Sequence, residues 1–197
     1  MSEPSLFDAA VAAIDDANAA DPTLVTVRGT LHPLALVHGL LAAEWMAHLH
    51  PHATDAWLLA ARAHHLRRWE LPRSQYPEGR AGYLRWKRDQ RTRHGRDIGV
   101  LLADVGYDEA TIATVQALVR RESLAADPGA QAVEDVACLV FLETQLAEVA
   151  GKLAHEHLVQ VLRKSLAKMS PAAKEAAARI PLTDDQRAVL AEAAAAA

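Results

Sequence analysis

The chain has 197 residues, of which 51% are hydrophobic, and a formal net charge of −4. This length suits one domain with an ample core, and this hydrophobic fraction excludes an intrinsically disordered chain. The single cysteine, Cys138, excludes an internal disulfide, and no apolar run approaches the roughly 20 residues of a membrane span, so we expect a cytoplasmic protein with no membrane partner.

Apolar residues recur at helical spacing along most of the chain, which predicts an all-α, single-domain helical bundle over residues 1–197. Irregular loops are predicted from Asp21 to about His32 and over 70–78, where prolines interrupt the pattern. Six predicted helices have both bounds: 5–19, 55–69, 79–105, 109–122, 130–150 and 154–169. A further helix is predicted to begin at Pro33. Near the C-terminal end, a short helix is predicted to begin at Pro171, and a last helix is predicted to be capped by Thr183 or Asp184.

Positive charge is concentrated in one central segment. Between Arg67 and Arg96 there are nine Arg and one Lys against three acidic residues, a formal charge of +7. Such a field attracts anions, guanidinium groups bind phosphate through paired hydrogen bonds, and aromatic rings can stack a base. The alternative is a solvated basic face with aromatic residues in the core. The candidate substrate-binding residues are Arg68, Trp69, Arg73, Tyr76, Arg80, Tyr83 and Trp86.

Four histidines and two acidic residues fall on predicted apolar faces of different helices. Glu134 and Asp135 stand at the head of a helix that is apolar nearly all round, where an ionised carboxylate needs a partner. Imidazoles and carboxylates that converge from bundle helices are typical ligands of a divalent metal ion, here Mn, Fe, Co, Ni, Mg or Zn. The alternatives are hydrogen-bonded core histidines and a helix cap. The candidate ligands are His38, His64, His65, His94 and Asp135.

The order of these residues resembles the HD superfamily, whose members are all-α metal-dependent phosphohydrolases. That superfamily takes a His from one helix, an adjacent His-Asp pair from the next, and a distant Asp from a later helix. Here His38, His64–His65 and Asp135 follow in that order, so the resemblance implies an HD-domain-like bundle. His65 stands where the superfamily has Asp, which implies an altered metal shell or a lost metal.

Longer runs of sequence resemble the domain-of-unknown-function 4202 family over roughly residues 5–195. The runs are HHLRRWELPRSQYPEGRAGYLRWK (64–87), GYDEATIATVQALV (106–119), QAVEDVACLVFLE (131–143) and KMS (168–170). The resemblance matches His65 and His94 to histidines of the family and includes the Glu134–Asp135 pair. His64 replaces a Gln of the family, and His38 stands where a Tyr is frequent. The family name implies no activity.

We therefore expect a metal-dependent hydrolase that acts on a nucleotide or other small phosphorylated molecule. His65, His94 and Asp135, with His38 or His64, would hold the ion, and Glu134 would be a general base. Arg68, Arg73 and Arg80 would neutralise the phosphate.

Two alternatives remain: an HD-type iron oxygenase, and a non-catalytic helical module that binds a nucleotide or RNA. A long nucleic-acid track is not expected, because the rest of the chain is acidic. A purely structural role and a homo-oligomer also stay open, since Ala-rich helices often pair.

Overall fold

A computed structural model describes residues 4–195 and confirms the predicted all-α class, with one two-stranded hairpin as its β-structure. The chain divides into two compact units, Met1–Val133 and Glu134–Ala197. A single domain over 1–197 stays a prediction, and the first three and last two residues of that range lie outside the described residues. Within that range, no helix combines the length and the hydropathy that a membrane crossing requires.

The first unit carries most of the helices and the hairpin. Two short 3-10 helices, Arg68–Glu70 and Arg73–Gln75, lie between its third and fourth α-helices. Its core includes the fully buried side chains of Ile14, Leu59, Leu66, Ile98 and Leu102. The elements are α1 (Leu6–Ala19), β1 (Leu24–Val27), β2 (Thr30–Pro33), α2 (Leu34–Leu49), α3 (Asp55–Arg62), α4 (Gly79–Val105), α5 (Glu109–Arg120) and the start of α6 (Pro128–Thr144).

The predicted helix ends are set by local side-chain chemistry. Ser5 caps α1 by accepting the backbone N–H of Asp8, and Thr54 caps α3 in the same way. Asp108 caps α5 by accepting a backbone N–H with a carboxylate oxygen. Gly106 ends α4 in the left-handed region, with φ of 107°, so α4 has the predicted bounds.

A β-hairpin occupies 24–33, where the sequence analysis predicted a loop. The strands are antiparallel, with Val27 opposite Thr30. Arg28 and Gly29 form the connecting turn, and both have positive φ, of 50° and 83°. Two such residues suit the tight turns that match the twist of a hairpin. The β-branched residues of this stretch favour strands and could have indicated the hairpin.

The third predicted helix, 55–69, ends early, at Arg62. The chain then turns, so residues 64–65 lie in a turn and not on a helical stripe as predicted. Arg67 adopts a left-handed conformation with φ of 48°, which an α-helix cannot accommodate. Its backbone N–H donates to Oδ1 of Asn18, 3.0 Å away in α1, so a contact distant in sequence stabilises this turn.

Gly39 allows α2 to approach the end of α3 closely. A Cβ atom at Gly39 would lie 2.7 Å from the carbonyl oxygen of Arg62, a separation that real Cβ atoms essentially never show. Since His38 precedes this glycine, the close approach brings His38 beside the turn that follows α3.

The second unit begins within α6 and ends with α10. The helix predicted over 130–150 is interrupted at Gln145, which separates α6 from the next helix. Ser170 caps the helix opened by Pro171, accepting the N–H of Ala173. The remaining elements are α7 (Leu146–Lys152), α8 (His155–Leu166), α9 (Pro171–Ala177) and α10 (Asp184–Ala195).

Candidate functional site

Three of the predicted histidines meet in the first unit. His38 comes from the buried face of α2, and His64 and His65 come from the turn after α3. Each offers one ligand atom, and these ring nitrogens all lie within 4.8 Å of one another. We call these three residues the histidine cluster. Imidazole nitrogens this close are suited to sharing one transition-metal ion.

Backbone carbonyls fix the orientation of two of the imidazoles. Nδ1 of His64 lies 2.8 Å from the carbonyl oxygen of Ala61, and Nδ1 of His94 lies 2.8 Å from that of Leu66. A carbonyl only accepts, so Nδ1 carries the proton in both rings and Nε2 keeps a lone pair. Both Nε2 atoms are buried and have no hydrogen-bond partner among residues 4–195. A carbonyl-anchored ring with a free second nitrogen is typical of a metal-binding histidine.

His94 lies beside the histidine cluster but is not part of it. Its ring centroid is 6.1 Å from that of His65, and the three mutually close ring nitrogens belong to the other histidines. The predicted position of His94 on the inward face of α4 is confirmed, since only 1% of the residue is exposed. Its role as a direct ligand stays a prediction.

The four imidazoles are neutral at physiological pH. Burial, and secondarily the positive charge of Arg68, lowers the pKa of His38 to about 3. Burial and then Arg68 also lower the pKa of His94 to about 3. Burial is the largest cause of pKa values well below 6.5 for His64 and His65. Neutral imidazoles bind a metal ion without first releasing a proton.

A cleft of about 240 Å³ adjoins His38. Arg68, Trp69 and Trp86 line it, so the structure brings three of the predicted substrate-binding residues together. The guanidinium of Arg68 lies 4.6 Å from the ring centroid of Trp86, and no carboxylate forms an ion pair with it in the part of the chain that the structure describes. Burial lowers the pKa of Arg68 to about 10, which leaves it charged at neutral pH.

Side chains on one face of α4 hydrogen-bond to the backbone of the segment that contains Arg68 and Leu71. Trp86 donates through Nε1 to the carbonyl of Leu71, and Gln90 donates through Nε2 to the carbonyls of both Arg68 and Leu71. With His94, these side chains recur every four residues along α4. Gln90 was not among the predicted site residues, although its spacing midway between Trp86 and His94 places it on the same helix face.

The other predicted substrate-binding residues do not line this cleft. Arg73 donates to the carbonyls of Tyr76 and Pro77, at 2.8 Å each, and so braces its own loop. The hydroxyl of Tyr76 donates to Asp89. Arg80 and Tyr83 are exposed residues of α4. A role for these four residues in substrate binding stays a prediction.

Glu134 and Asp135 are buried in the second unit, where each has a partner. Nζ of Lys168 lies 3.3 Å from Oε1 of Glu134. The backbone N–H of Ser170 donates to Oδ1 of Asp135 at 2.8 Å. These contacts connect the acidic pair to residues 168–170, a stretch that the family resemblance had singled out. General-base and metal-ligand roles for the pair stay predictions.

Comparison with known proteins gives one family. The family model described as "Domain of unknown function (DUF4202)" matches residues 8–190 of the chain. No curated protein and no solved structure matches the chain. The weaker resemblance to the HD superfamily stays a prediction.

Proposed function

This chain belongs to the DUF4202 family, and because that family's description names no activity, we propose from the site itself that it is a metal-dependent hydrolase of a small phosphorylated molecule. The observation that supports the proposal most is the close grouping of the ligand atoms of His38, His64 and His65, next to a cleft that contains Arg68. A metal ion and an anion could therefore be bound side by side.

The residues present fit a metal ion of the transition series. Imidazole suits Zn, Co, Ni and Fe, whereas Mg prefers carboxylate and water oxygens. His64 and His94 each donate from Nδ1 to a backbone carbonyl, which leaves Nε2 of each ring able to face a cation. When bound, such an ion supplies Lewis acidity, which lowers the pKa of water and polarises a phosphoryl oxygen. The histidine cluster would hold this ion. Because its imidazoles are neutral, protons would not compete with the ion for the ring nitrogens.

Arg68 would neutralise the phosphate of the substrate. Its guanidinium is fixed on one side by the ring of Trp86, and the backbone of its turn is fixed by Gln90. A preorganised cation in a partly dehydrated cleft stabilises developing negative charge more than a mobile surface cation does.

Phosphate release after metal loading tests this proposal. The chelator-treated full chain is reloaded with Zn, Co, Ni, Fe, Mn or Mg and incubated with a panel of phosphorylated small molecules. We expect turnover with at least one transition ion, its loss in His65→Ala, and its retention in His52→Ala, an exposed histidine outside the cluster. No turnover with any ion contradicts the proposal, and oxygen uptake by the iron form would favour the oxygenase alternative.

A further inference from the structure

The two indoles of the cleft have different surroundings. One face of Trp86 is covered by the guanidinium of Arg68, and its Nε1 donates to the carbonyl of Leu71. Trp69 lines the same cleft. Within residues 4–195, Trp69 makes no ring contact and no side-chain hydrogen bond. It therefore offers an indole surface to a bound molecule.

The cleft also contains a positive charge that forms no ion pair among the described residues, that of Arg68. The guanidinium of Arg68 is partly removed from water, and among the described residues no carboxylate pairs with it. The carboxylate of Asp21, on the same wall, accepts the backbone N–H groups of Thr23 and Ala35, each at 2.9 Å. Because Asp21 is engaged by these backbone groups and forms no ion pair with Arg68, the partly dehydrated guanidinium can still favour an anionic ligand.

The rest of the wall argues for a ligand with a flat apolar part. Leu34, Ala35, Leu71 and Pro72 contribute apolar surface. A sugar phosphate carries hydroxyl groups along its whole length, and each would lose hydrogen bonds to water against such a wall. An aromatic ring loses none on its faces. The cleft volume of about 240 Å³ suits one small molecule and not a polymer.

We propose that this cleft binds a nucleoside monophosphate, with its base on Trp69 and its phosphate at Arg68, beside the histidine cluster. Hydrolysis of that phosphate rests on the proposed function, but binding requires only the cleft. Stacking of one base on an aromatic side chain raises affinity by about tenfold.

Calorimetric titration of the chelator-treated full chain with adenosine 5′-monophosphate and ribose 5-phosphate tests this inference. We expect adenosine 5′-monophosphate to bind about tenfold more tightly. Trp69→Leu should remove that difference, Trp69→Phe should keep most of it, and Trp45→Leu in α2 should leave it unchanged. Equal affinity for the two ligands in the wild type, or an unchanged difference in Trp69→Leu, would overturn the inference.

The inference and the proposed function fail separately. Phosphate release without any preference for ligands that carry a base would retain the hydrolase and reject the nucleotide cleft. Base-dependent binding that Trp69→Leu abolishes, with no phosphate release under any metal, would retain the nucleotide cleft and reject hydrolysis. The comparison of the two ligands in the wild type does not depend on the folding of any variant.

Discussion

The Nδ1 atoms of His38 and His65 lie 2.8 Å apart, although 27 positions separate the two residues in sequence. At this distance one neutral ring donates a proton and the other accepts it, or both rings present lone pairs to a shared cation. Around this pair, His64 and His94 each have one nitrogen anchored to a carbonyl and one buried nitrogen without a partner in residues 4–195. A cation would satisfy more of these nitrogens than the protein alone does.

Acid should destabilise the metal-free protein, because its buried histidines are held neutral. The pKa values of His38 and His94 are lowered from 6.5 to about 3. Between these values the unfolded chain binds protons that the folded chain does not, so the free energy of unfolding falls as the pH falls. Each such histidine lowers the free energy of unfolding by about 1.4 kcal/mol for every pH unit of acidification in this window.

Urea titrations of the chelator-treated protein between about pH 7 and about pH 5 measure this dependence, above the range in which most carboxylates titrate. His94→Asn keeps a donor for the carbonyl of Leu66 and should reduce the slope by about one histidine's share. A free energy of unfolding that does not change over this range would show that the buried rings are not held neutral.

Gly39→Ala should separate α2 from the end of α3. The added methyl group would lie 2.7 Å from the carbonyl oxygen of Arg62. Overpacking against a backbone atom costs about 1–3 kcal/mol, and the shift should also weaken metal binding through His38. Gly151→Ala in α7 is the control, since its Cβ would meet nothing within 4 Å. Chemical denaturation and zinc titration of both variants measure the two effects, and equal behaviour of the variants would argue against the close approach.

Gln90→Leu should loosen the turn that carries Arg68. The change removes donors to the carbonyls of Arg68 and Leu71, and the loss of hydrogen bonds at a buried site costs about 1–3 kcal/mol. Thr92→Val on the same helix is the control, because the hydroxyl of Thr92 is exposed and bonds only to Arg88 of its own helix. In thermal unfolding, the midpoint temperature of Gln90→Leu should lie well below those of the wild type and of Thr92→Val. If the two variants unfold together, the contact between Gln90 and the turn does not contribute to stability.

Arg68→Met should weaken anion binding specifically. In the proposed hydrolase, KM for the phosphorylated substrate should rise by about tenfold or more, because a hydrogen bond to a charged group contributes about 1.5–3 kcal/mol. Arg88→Met removes the same charge from an exposed position of α4, where solvent screens it. Steady-state kinetics of both variants measure the contrast. If KM rises to a similar extent in Arg68→Met and Arg88→Met, the rise reflects the overall charge of the protein and not a specific contact of Arg68 with the phosphate.

The helical class and much of the helix placement could be predicted from the sequence, because caps and periodicity are local. Ser5, Thr54 and Asp108 cap as their residue types indicate, and Gly106 ends α4 at the predicted position. The early end of α3 could not be predicted in this way. It depends on the left-handed backbone of Arg67, which a contact from α1 supports.

The sequence predicted buried histidines, and the structure brings three of them, His38, His64 and His65, together. Burial of His38, His64 and His94 follows from apolar surroundings along the chain. Which ring nitrogen faces a carbonyl depends on side-chain rotation, and sequence patterns do not encode it. Arg73 shows the same limit, since the charge pattern does not reveal that its guanidinium donates to nearby carbonyls.

Zinc content after equilibrium dialysis tests the metal centre most directly. The chelator-treated full chain, His65→Ala, His64→Ala and the control His52→Ala are dialysed against limiting zinc, and bound metal is measured by elemental analysis. We expect about one ion per chain in the wild type and in His52→Ala, and a loss of most bound zinc in both cluster variants. Equal zinc in all four proteins, or no zinc in the folded wild type, would contradict a metal centre built from His38, His64 and His65.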